Sequence, residues 1–236
     1  MKIRTSAERG QADHGWLQSK HSFSFAEYFD AEHIEFGVLR VINEDRVAPK
    51  MGFGTHRHQD MEIISYVLSG ALNHQDSMGN GSVMQPGDVQ RMSAGSGITH
   101  SERNDSATMP VHFLQIWIQP NIKGSPPSYE QKHFTDDEKR GRLRLVISEG
   151  GEQGSLRMQQ DARLYAGLFD GKAQTKLRIS KGRMVYVHLI CGTLSVNGTL
   201  ISGGDALMII ETAAVEILGG DQAEVLLFDL PTNKTR

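Results

Sequence analysis

Apolar residues in this chain come in short bursts, and that punctuation restricts its fold more than any other feature. Residues 36–42, 62–68, 111–118, 184–190, 206–210 and 225–230 are rich in Val, Ile, Leu and aromatics, and are separated by Gly, Asn, Asp or Pro. Runs of this length with turn residues between them read as strands. Helical patterning is confined to two short stretches, 23–29 and 136–140. Many short strands with few helices fold as a β-sandwich or barrel. The expected fold class is therefore all-β.

The punctuation also repeats. Tyr66-Val-Leu-Ser-Gly70-Ala-Leu72 matches His188-Leu-Ile-Cys-Gly192-Thr-Leu194, and Pro86-Gly87-Asp88-Val89 matches Gly203-Gly204-Asp205-Ala206. Each half reads strand, Gly turn, strand, Gly-Asp turn, strand, as an internal duplication would. Residues 119–128 (QPNIKGSPPS) hold three prolines and read as a connection. The mixed-charge run 136–144 after it reads as a solvated hinge surface. The expected domains are 1–130 and 131–236.

The halves differ in their histidines. Eight of the ten lie in the first 112 residues. Within them, Gly54-Thr-His56-Arg-His58 is followed by Glu62, and Gly95-Ser-Gly97-Ile-Thr-His100-Ser-Glu102 ends in the same i, i+2 spacing. Side chains two apart on a strand share a face, roughly 6–7 Å apart. If the two strands face one another in a barrel, three imidazoles and one carboxylate meet. A carboxylate and a divalent cation offset each other's desolvation cost. The donor set suits Fe, Ni, Cu, Mn or Zn. An octahedral ion would keep two open positions, whereas tetrahedral Zn would be saturated. In the second half, the repeat sets Arg178, Ser180 and Met184 opposite His56, His58 and Glu62. It sets Ile217 and Gly219 opposite His100 and Glu102. None of these is a matching ligand, so one metal per chain is expected, in the first domain.

Composition narrows the partners. A formal net charge of −3 and a pI near 6.4 disfavour direct nucleic-acid binding. The start has no secretory apolar core, and no run approaches a membrane span. Cytoplasmic localisation is the expectation. The lone cysteine, Cys191, excludes an internal disulfide or Cys cluster and reads as a small buried hydrophobe.

These motifs resemble those of the cupin superfamily, with departures. Lys50 stands where the first motif wants Gly, its closing Gly comes one residue late at Gly70, and Gly95-Ser-Gly97 replaces Pro-x-Gly. The departures, with His14-Gly-Trp16, His74-Gln-Asp76-Ser77-x-Gly-Asn80, Met92-Ser-Ala-Gly95 and His112-Phe-Leu-Gln-Ile-Trp-Ile118, strongly resemble the pirin family over about residues 8–130. The likeness thins in the second half, where 226–231 match best. The resemblance implies two tandem cupin domains of double-stranded β-helix, jelly-roll-like form, the C-terminal one degenerate and without metal. It maps the ligands onto His56, His58, His100 and Glu102, with iron foremost among the candidate metals. Many cupins take the acidic ligand from the first motif, here Glu62. The same-face geometry with His100 favours Glu102 and leaves Glu62 to orient a ligand or water.

The resemblance further implies a quercetin 2,3-dioxygenase-like oxidoreductase, which opens a flavonol ring with O2 and releases CO. Glu102 would be the catalytic base for the substrate hydroxyl. The alternative is a non-enzymatic, metal- and redox-sensing regulator that binds a protein partner. Phe53, Met92 and Trp117 are candidate walls of an aromatic pocket, and each is equally an ordinary core residue. His74 reads as a turn hydrogen-bonder or a ligand-orienting group. His112 and Gln115 have opposite parity, so at most one can face the site. His14, His21 and His33 read as hydrogen-bonded or exposed.

Overall fold

The computed structural model describes residues 1–232. Strands dominate, and the one α-helix among the described residues is Asp136–Lys139. No helix is long and apolar enough to cross a membrane. The chain divides into two compact units. One holds Gly10–His133 and Leu156–Gln160. The other holds Met1–Arg9, Phe134–Ser155 and the described part of Asp161–Arg236. The first nine residues, which the sequence reading sets in the N-terminal domain, therefore belong with the C-terminal unit. There Lys2–Arg4 pairs as an edge strand with Ala206–Ile210.

In the N-terminal unit a seven-stranded sheet runs in the order Ser128–His133, Asp88–Ser93, Glu62–Ser69, Val111–Ile118, Leu39–Val47, Leu17–His21, Gly10–Asp13. Its middle strands are buried over nearly their whole length, which is why Glu62–Ser69 and Val111–Ile118 read as apolar runs rather than alternating ones. A second sheet of four strands follows the order Gly52–His58, Ile98–Arg103, Leu72–Asp76, Gly81–Met84. Here the sequence alternates. Thr55, Arg57 and Arg103 are exposed, while His100 and Glu102 on the other face are buried. Lys50 takes the left-handed φ of +62° that a glycine would adopt freely, so the backbone turn survives the substitution.

The C-terminal unit is built on three long antiparallel strands, Arg163–Arg178, Arg183–Val196 and Ala214–Pro231. Register shifts bend them at Phe169/Gly171 and Leu189/Cys191. The glycines matched by the repeat have matching backbones. Gly70 and Gly192 have φ of +77° and +75°, and Gly87 and Gly204 have +92° and +87°.

Three local expectations are corrected. Residues 23–29 form a tight hairpin turn instead of a helix. Phe25 and Tyr28 exchange backbone hydrogen bonds, and Ala26 has φ +50°. Cys191 is exposed rather than buried, because the chain bulges on both sides of it. The charged run 136–144 is exposed over much of its length, but Lys139 is buried and paired with Asp136 at 3.2 Å. Residues 136–139 do form the expected helix, capped reciprocally by Thr135 and Glu138.

Candidate metal centre

Strand pairing builds the site. Gly52–His58 lies antiparallel to Ile98–Arg103, with His100 opposite His56 and Ile98 opposite His58. His56, His58 and His100 therefore share one face. Their ring centroids lie 4.4–4.9 Å apart, and one nitrogen from each falls within 4.8 Å of the others. His56 Nδ1 lies 2.7 Å from the carbonyl of Gly54. A carbonyl only accepts, so Nδ1 carries the proton and Nε2 is left as a lone pair. Burial, then the neighbouring His56, depresses His58 to about 4. Burial and the surrounding imidazoles depress His100 to about 3. Those two rings are thus held neutral, as ligands must be.

Glu102 follows on the same strand, buried at 1% exposure. Its Oε1 accepts from Ser65 Oγ at 3.0 Å, and its Oε2 accepts from Gln115 Nε2 at 2.6 Å. Burial pushes its carboxyl up to about 7 against those two hydrogen bonds, with a smaller upward push from Asp45. The grouping of His56, His58 and His100 does not take in Glu102. Its carboxylate falls instead with His100 and His74, again within 4.8 Å. The structure thus brings three of the four expected ligands together and seats the fourth against the innermost of them.

Glu62 is elsewhere. It lies three residues before Ser65 on one strand, so it points to the opposite face. There it is buried and accepts from Ser93 Oγ at 2.8 Å. Burial raises its carboxyl, against the pull of Ser93 and Arg91. It is not placed to orient a ligand of the imidazole cluster.

A cavity of about 440 Å³ opens on His56, His58 and Glu102. Trp16, Phe25, Phe53 and Trp117 give it aromatic walls, and Ser19, Asn43, Asp45 and Gln115 give it polar ones. Phe53 is an odd number of residues from His56, yet it lines the same space. A register shift between His100 and Glu102 sets Phe53 opposite Glu102 and resets the alternation. Met92 packs with Ile63, Ala94 and Ile98, a core residue rather than a cavity wall. Gln115 faces the site, while His112 points away and bonds Glu44 at 3.0 Å. His14 is exposed, His21 bonds Asn43, and His33 bonds Asp30. His74 is fully buried on strand Leu72–Asp76 and is not a turn residue. Trp16, Ser19, Phe25, Asn43 and Asp45 reach the cavity from distant strands and turns, and apart from Trp16 in His14-Gly-Trp16 no local motif marks them.

The donors fit a transition-metal ion. Three imidazoles converge, and His100 Nε2 is buried with no hydrogen-bond partner among the described residues. A buried polar nitrogen in that state is costly unless something occupies it.

Two β domains, with convergent imidazoles in the first and none at the matched positions of the second, define a metal-binding bicupin. Comparison with known proteins gives the family. Residues 2–118 match the family described as Pirin, and residues 145–230 match the Quercetinase C-terminal cupin domain. The quercetin 2,3-dioxygenase of Escherichia coli strain K12 is 45% identical over 229 residues, covering 97% of this chain and 98% of that protein. The structure of the bacterial pirin YhhW from Escherichia coli in complex with nickel(II) aligns with a TM-score of 0.93 at 44% identity, over 98% of each chain. The Escherichia coli protein YhaK aligns with a TM-score of 0.76 at 26% identity, covering 94% of this chain and 98% of that one. The chain belongs to the pirin family. The names of its relatives agree with the expected enzyme class.

Proposed function

We propose that this chain is a metal-dependent dioxygenase that opens a flavonol ring with O2 and releases CO. One observation carries the reading: two of three convergent imidazoles, His56 and His58, line with Glu102 a cavity of about 440 Å³ whose walls are aromatic and whose remaining lining is largely polar. Cavities of roughly 300–1,000 Å³ with aromatic walls and a few placed polar groups take flat organic ligands of flavonol size. The relative named quercetin 2,3-dioxygenase and the pirin with bound nickel(II) support the reading.

His56, His58 and His100 hold the ion, with Glu102 as the acidic partner. We take the native ion to be iron, and the donors also suit nickel, copper, manganese or zinc. Once bound, it supplies Lewis acidity toward an adjacent hydroxyl and keto pair and, if redox-active, electrons to O2. The chain does the rest. Trp16 and Phe53, edge to face at 5.4 Å, set the slot that orients a planar guest. Ser19, Asn43 and Asp45 offer hydrogen-bond partners to ring hydroxyls. Glu102 takes the proton of the reacting hydroxyl, and Ser65 and Gln115 hold its carboxylate in place. The test is to add quercetin and oxygen to metal-loaded protein. Flavonol absorbance should fall, CO should appear, and His56→Ala should abolish both. A loaded protein inert to flavonols would overturn the reading.

A further inference from the structure

His74 and Asp76 belong to a motif for which the reaction gives no use, yet both side chains are fully buried beside the metal centre. Strand pairing sets Asp76 opposite His100 and His74 opposite Glu102. Asp76 is held by three donors besides His74. Its Oδ1 accepts the backbone N–H of Met78 at 2.9 Å and of Asn80 at 3.1 Å, and its Oδ2 accepts Asn80 Nδ2 at 2.9 Å. The same Oδ2 lies 3.3 Å from His74 Nε2. An ionised carboxylate only accepts, so His74 carries its proton on Nε2. A neutral imidazole has one N–H, so His74 Nδ1 is a bare lone pair. That nitrogen faces His100 Nδ1 at 3.5 Å, the long end of hydrogen-bond range. The contact is attractive only if His100 supplies the proton. His100 Nε2, buried and without a partner, is then the nitrogen left open. Tyr129 stacks on His74 at 5.0 Å and 27°, which fixes the plane of the ring.

We propose that Asp76 and His74 form a tautomer relay that fixes His100 as an Nε2 ligand. Both are positioning residues, and the proposal rests on the reading that His56, His58 and His100 hold a metal. The Gly54 carbonyl does the same for His56 in a single step. Partners of this kind set which nitrogen of a ligand is free and typically change metal affinity 10- to 100-fold.

The test uses the full chain, labelled with ¹⁵N-histidine, stripped of metal and then titrated with zinc(II). In stripped protein, long-range ¹H–¹⁵N spectra should show His100 protonated on Nδ1 and His74 on Nε2. Asp76→Asn keeps an oxygen for the backbone N–H groups of Met78 and Asn80 but turns a donor toward His74 and the Asn80 side chain. Both tautomers should flip, and zinc affinity should fall about 10- to 100-fold in competition with a chromogenic chelator. His74→Phe keeps the burial and the stack but removes the acceptor, and should lose affinity to a similar extent. Adding Asp76→Asn to His74→Phe should cost nothing more, because Asp76 acts only through His74. His100 protonated on Nε2 in the stripped wild type, or full zinc affinity in Asp76→Asn, would overturn the relay. The stripped-state spectra need no metal, so they judge the relay separately. Zinc binding unchanged by His56→Ala would remove the metal reading instead.

Discussion

The two units share turns but differ in what they enclose. Gly70 and Gly192 have nearly the same positive φ, as do Gly87 and Gly204, so the backbone corners of the repeat are kept. Behind those corners the C-terminal unit buries a continuous apolar cluster that includes Ile217, Val185, Leu207 and Leu227. The N-terminal unit instead has separate apolar clusters around Phe113 and around Met92, and it carries histidines, Glu102 and a cavity. Ile217, which the repeat sets opposite His100, is fully buried, whereas Arg178 and Ser180, opposite His56 and His58, are exposed. The turns specify the fold, and the interior is free to be filled for stability or left polar for chemistry.

The comparison breaks most visibly in metal content. We expect one equivalent of transition metal per chain, falling to near zero in His56→Ala or His100→Ala and unchanged in Arg178→Ala. Elemental analysis of protein purified without added metal checks this. A second equivalent, or loss of metal in Arg178→Ala, would mean that the C-terminal unit also binds an ion.

The next effect separates base from ligand. Glu102→Gln should lower flavonol turnover about 10²- to 10⁴-fold, the range for losing a general base, while most of the metal stays. The separate grouping of Glu102 with His74 and His100 motivates this order. Equal loss of metal and turnover would make Glu102 chiefly a ligand. In the filled barrel the measure is stability. Ile217→Ala removes a fully buried side chain and should cost about 2–5 kcal/mol in urea unfolding. His58→Ala in metal-free protein should change stability by less than ~1 kcal/mol, since that ring is only half-buried and held for the ion.

Strand parity made much of this legible. Two i, i+2 pairs were enough to place His56 with His58 and His100 with Glu102, because alternation is fixed by the pleat. The same rule separated Gln115 from His112. Parity fails where the ladder slips, so Phe53 faces the cavity and Cys191 faces solvent. It also does not carry across a turn. Glu62 follows the His56–His58 strand closely but starts a new strand, and its facing shows only in the fold, where Ser65 on its own strand turns to Glu102 and Glu62 itself meets Ser93. Ser19, Asn43 and Asp45 come from strands far from the motifs, and only the folded sheet brings them to the cavity.

Glu62 gives the smallest effect and a direct test of facing. Its folded pKa is raised by burial above the ordinary value of 4.5. The folded state therefore favours the protonated form. The stability this contributes is fully present below pH 4.5 and is lost as pH rises through the folded value. Glutamine at this position has no proton to lose. Glu62→Gln should stand at a fixed offset from the wild type in urea unfolding below pH 4.5 and gain on it as pH rises above that value. Metal content and turnover should not change, because Ser65 and Glu62 lie on opposite faces of their strand. If Glu62→Gln loses metal, the acidic ligand comes from the first motif after all, and the assignment to Glu102 fails.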